Sequence, residues 1–76
     1  MSNDRLVAPS SVNAHFQVAL SVAFEEAAIE VLSEGAHLLR SQGREAAAQQ
    51  HEDQIRRHRV GLIKHRAIMA AHGIKV

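Results

Sequence analysis

The sequence predicts an all-α fold, an antiparallel two-helix hairpin (about 10–41 and 43–72) that dimerises into a four-helix bundle. Three observations carry this expectation. No segment alternates apolar and polar residues between turn signals, so strands are not expected. One internal break, Ser41-Gln42-Gly43, separates two stretches of similar length that are rich in helix formers and free of proline. And the first stretch carries more apolar surface than a single neighbouring helix can cover.

Residues 1–9, with Asn3, Asp4 and Pro9 and no periodicity, read as a flexible N-terminal arm ahead of one helical domain over 10–76. Ser10, Ser11 or Asn13 offers a side-chain oxygen to cap the first helix. Gly43 suits the left-handed residue that ends a helix, and Gly73 closes the second. Each helix should run roughly 30 residues, about 45 Å, and a short connection favours antiparallel neighbours. Facing positions should then sum to about 85. That register sets Arg56, Arg57 and Arg59 level with Glu26 and Glu30, Gly61 level with Phe24, and His51 level with Glu34.

Composition limits the function classes. A 76-residue chain buries only about 60% of its unfolded surface, and without cysteine it has no disulfide, thiolate ligand or thiol nucleophile. Self-association or a metal is left to stabilise it. The net charge of +1 gives no general attraction to nucleic acid. The halves differ, however. Glu25, Glu26, Glu30 and Glu34 outweigh Arg40 in the first, while basic residues predominate in the second, so the two complement each other. The longest apolar run, Val18 to Phe24, stops at Glu25-Glu26, short of the ~20 residues of a membrane span. The N-terminus lacks a signal peptide's basic start and apolar core. A cytoplasmic protein is expected.

Helix 1 carries two apolar rows at steps of three and four. One is Phe16, Leu20, Phe24, Ala27, Val31 and Leu38; the other is Val18, Val22, Ile29, Leu32, Ala36 and Leu39. Together they span about 220° at 100° per residue. Glu26, Glu30, Ser33, His37 and Arg40 fill the rest. One row meets helix 2. The other must meet a second copy or a different protein, because soluble chains avoid large exposed apolar patches.

Helix 2 repeats every seven residues. Ala48, Ile55, Leu62 and Met69 take the "a" positions of a heptad, and His51, His58, His65 and His72 take "d". The histidines therefore belong to the packing stripe. Ile55, His58, Leu62, His65 and Met69 join the helix 1 rows as the expected interface. Neighbouring rings are about 10.5 Å apart along the axis, too far to share an ion without a second helix. Imidazoles in an apolar seam would resist charging, lowering their pKa below ~6.5 and loosening the bundle in acid.

Two further chemistries are readable. Glu34-Gly-Ala-His37 is a Glu-x-x-His element and resembles half of the di-iron motif of ferritin-like bundles. With His51 across the hairpin, Glu34 and His37 form the candidate metal cluster, although helix 2 lacks a matching element. Arg56, Arg57, Arg59, Lys64 and Arg66 are the candidate nucleic-acid contacts, without a tyrosine or tryptophan to stack on bases. The turn Leu38 to Gln50 resembles that of a tetratricopeptide repeat, but a repeat of about 34 residues cannot hold helices this long. No phosphate loop, nucleophile elbow or zinc-protease helix is present. The expectation is a non-enzymatic regulatory, adaptor or inhibitory protein of a kind bacteria and phages encode. It would need no cofactor and would act as a homodimer on another protein. A dimeric nucleic-acid binder is the first alternative and a histidine metal-binding bundle the second.

Overall fold

A computed structural model of the chain describes residues 11–73, with side chains from Ala14. The expected N-terminal arm and the capping side chains of Ser10, Ser11 and Asn13 lie outside that description. The described residues form two α-helices, α1 (Ser11–Ser41) and α2 (Glu45–Ala71), packed as an antiparallel hairpin.

The turn follows from Gly43. Its φ of 75° is left-handed, a conformation that costs an L-residue roughly 1–2 kcal/mol. Gly43 N donates to Arg40 O at 2.9 Å and Arg44 N to Leu39 O at 2.8 Å. This nested pair satisfies carbonyls that α1 would otherwise leave orphaned. Ser41 Oγ adds a bond to Leu38 O at 2.7 Å. Arg40, in the last turn of α1, then reaches over the connection. It donates to Glu45 Oε1 at 3.2 Å and to Glu52 Oε2 at 2.8 Å. The Glu52 bond, above all, raises the Arg40 pKa, opposed by desolvation. In return the Arg40 guanidinium holds the Glu52 carboxyl below its ordinary value.

The seam between the helices follows the seven-residue repeat. Extended to α1, the "a" positions are His15, Val22, Ile29 and Ala36, and the "d" positions are Val18, Glu25, Leu32 and Leu39. The buried residues are Val22, Ala36, Ala48, Ile55 and Met69, all at "a". Helix 2 therefore takes the inner row of α1. Phe16, Leu20, Phe24, Val31 and Leu38 of the other row are each more than half exposed. The reason is angular: Leu20 and Phe24 each lie two residues from Val22, about 200° around the helix.

Substituting Gly43→Ala should cost about 1 kcal/mol in urea unfolding, since nothing lies within contact of the added methyl and backbone strain alone acts. The Arg40–Glu52 pair contributes stability above the ordinary carboxyl pKa and loses it as pH falls through the lowered value. Both side chains reach solvent, so the effect is small and salt-sensitive. Glu52→Gln should melt slightly below wild type at pH 7, and the two curves should converge as the carboxylates protonate.

Candidate functional site

The seam holds an unexpected charge. Glu25 occupies a "d" position of α1, its side chain only 13% exposed, between two histidines of α2. His58 Nδ1–H donates to Glu25 Oε1 at 2.5 Å. His65 Nδ1 lies 3.7 Å from Oε2, beyond hydrogen-bonding reach, and is buried without a partner among the described residues. The carboxylate fits because Gly61 has no side chain: a Cβ there would overlap Glu25 Oε2.

Glu25, which ends the apolar run from Val18 to Phe24, is part of the seam, and the space at Gly61, level with Phe24 in the expected register, is filled by Glu25. Phe24 is 65% exposed and touches His58 edge-on, with ring centroids 6.0 Å apart. The seam is also not purely apolar at His58 and His65, which both lie beside the Glu25 carboxylate.

His51 shows what one of the histidines packs against. Its ring lies over Gly35, where a Cβ would stand 3.0 Å from Cδ2, and its Nδ1 is 3.1 Å from Ala47 O. Position 35 plus 51 makes the facing register 86. At that register Ala28 is level with His58, and Ser21 with His65. Small residues on α1 thus recur with the same period as the rings on α2. At the open end His15 and His72 approach with centroids 5.1 Å apart.

The cross-helix ion pairs mark one flank. Arg66 pairs with Glu26, and Arg40 with Glu52, so all four residues occupy "e" positions of their helices. In an antiparallel pair the two "e" rows share a side and the two "g" rows share the other. Arg56 pairs with Asp53 of its own helix, so the expected match of Arg56, Arg57 and Arg59 with Glu26 and Glu30 is replaced by Arg66. The reason is length: an arginine side chain reaches diagonally past its level position.

The other candidates are placed as follows. Val18, Val22, Ile29, Leu32, Leu39, Ile55, Leu62 and Met69 lie along the seam, where α2 and α1 already cover one another. Glu34 and His37 are exposed, whereas His51 is half-buried over Gly35. Among the described residues no group of three or more histidine, aspartate or glutamate side chains is placed to hold a metal ion, so these three do not converge. Of the basic candidates, Arg56 and Arg66 carry carboxylate partners. No helix among the described residues is long and apolar enough to cross a membrane, and no pocket opens between them. No family model, curated protein or solved structure matches the chain.

The Gly61–Glu25 fit has a measurable signature. A helix interior favours alanine over glycine by about 1 kcal/mol. Gly61→Ala should realise that gain only where the carboxylate has been removed. In a Glu25→Ala background it should stabilise by about 1 kcal/mol, and in wild type it should be neutral or destabilising. A double-mutant cycle with coupling below about 0.3 kcal/mol would contradict the placement of Glu25.

Proposed function

We propose that this chain is a small non-enzymatic binding protein, self-associating as a helical homodimer and regulating another protein by docking to it. One observation carries the reading. After α2 has covered the inner row of α1, Phe16, Leu20, Phe24, Val31 and Leu38 remain exposed along the helix. Patches of this kind on soluble chains mark association surfaces, and phenylalanine is enriched at interface cores. The absence of a phosphate loop, nucleophile elbow or zinc-protease helix from the sequence supports a non-catalytic role.

The basic ridge of α2 favours a second reading, nucleic-acid binding by the dimer. Arg57 and Lys64 lie on the far margin of α2 and Arg59 beside the seam. Its contribution would be electrostatic, since the two phenylalanines sit on α1.

Sedimentation of the full chain from micromolar to hundreds of micromolar tests the first reading. Wild type should associate. Phe24→Asp, which alters an exposed side chain on the outer row, should weaken association at least tenfold while keeping its helical circular dichroism. If both species stay single chains throughout, the homodimer is excluded. Affinity for a duplex that falls steeply with salt, and falls further in Arg57→Ala/Lys64→Ala, would favour the second reading.

A further inference from the structure

Among the described residues, His72 is the one rung of the histidine row that meets another imidazole. His51 lies over Gly35, and His58 and His65 lie beside the Glu25 carboxylate. His72 instead faces His15 of α1 across the open end, with ring centroids 5.1 Å apart and ring planes inclined at 50°. Almost the whole length of the hairpin separates the two in sequence.

Each ring is placed by its helix. His15 occupies an "a" position of α1 and His72 a "d" position of α2, so both belong to the seam. The His72 backbone caps α2: its N–H is shared between Ile68 O at 3.2 Å and Met69 O at 3.1 Å. Gly73 turns left-handed behind it, with a φ of 73°. His15 is half-buried and His72 exposed, so solvent reaches the pair.

The separation fits one shared ion. Zinc takes an imidazole nitrogen at about 2.0–2.1 Å, which puts the ring centre about 3.2 Å from the ion. Two such rings at the tetrahedral angle have centres about 5.2 Å apart. Neither of the usual ring–ring arrangements, offset stacking or edge-to-face, sets the planes at 50°.

We propose that His15 and His72 together bind a divalent transition-metal ion of the zinc class, as a clip across the open end of the hairpin. Imidazole nitrogen suits zinc, copper and nickel, whereas calcium and magnesium take oxygen ligands. Two protein ligands are fewer than the four of a closed structural site. No third histidine, aspartate or glutamate converges there among the described residues. Water completes the shell, so the ion is exchangeable and its occupancy follows its concentration.

The position gives the ion leverage. Gly43 and Arg40 hold the helices together at the turn, and no covalent connection joins them at the other end. A link there closes almost the whole chain into a loop, and a clip removes more unfolded-state entropy the longer the loop it closes. Both ligands come from one chain, so the clip needs no second copy.

Thermal unfolding of the full chain and three variants, followed by circular dichroism near neutral pH in zinc chloride or in EDTA, tests the proposal. Zinc at saturation should raise the wild-type melting temperature by at least ~4 °C over EDTA. His15→Ala and His72→Ala should each abolish the rise, and His37→Ala, on the exposed face of α1, should keep it. The rise should be constant over a tenfold range of chain concentration. In wild type the ring resonances of His15 and His72 should move on zinc addition while those of His37 stay, which reads the site even where a variant melts early. No rise in wild type, or a rise that survives His15→Ala or His72→Ala, would overturn the clip. So would a rise lost in His37→Ala, which would move the ion to Glu34 and His37, or one that grows with chain concentration, which would mark an ion shared between copies.

Discussion

An imidazole fits between two closely packed helices only where the residue facing it is small. One contact in the hairpin shows that constraint directly. His51 lies over Gly35, and the same register sets Ala28 level with His58 and Ser21 level with His65. The turn places this match, because Gly43 in its left-handed conformation ends α1 at a length that brings facing positions to a sum of 86. Arg40 then ties the connection to the first turns of α2 through Glu45 and Glu52. Each device supports the same alignment, which is the mark of a sequence whose local and global preferences agree.

The interior is nevertheless thin. Two of its five buried residues are alanine and none is aromatic. A partly buried carboxylate occupies a position that leucine or valine fills elsewhere in the same row. Burying such a group costs free energy unless hydrogen bonds compensate, and here His58 supplies a bond while His65 stays short of one. Larger apolar side chains lie outside: both phenylalanines are exposed. The distribution suits a chain that completes its core by association, and it agrees with the limited stability open to any domain of this length without a disulfide.

Much of this was legible in residue spacing. The seven-residue repeat of Ile55, Leu62 and Met69 with the histidines located the inner stripe of α2, and the two rows of α1 foretold that one of them would stay uncovered. Glu25 was missed because Glu25-Glu26 reads as the start of an acidic face. The signal was present in the spacing, since residue 25 is seven from both Val18 and Leu32. Recognising it required weighing register above residue type, and only the space at Gly61 makes a carboxylate tolerable there. The ion pairs were misassigned by reading across at level positions, whereas Arg66 spans the gap to Glu26 on the diagonal.

A ladder of identical rungs has a weakness that its rungs cannot cure. Sliding α2 by seven residues puts histidines opposite small residues once more, so the repeat alone defines alignment only modulo one step. Within a chain the turn removes this ambiguity. Between separate chains, as when two hairpins open and exchange helices, no turn intervenes. The lone carboxylate and the lone vacancy at Gly61 then act like a key and its notch, because only one setting of the ladder accommodates both. Glu25 thereby converts a translational repeat into an address.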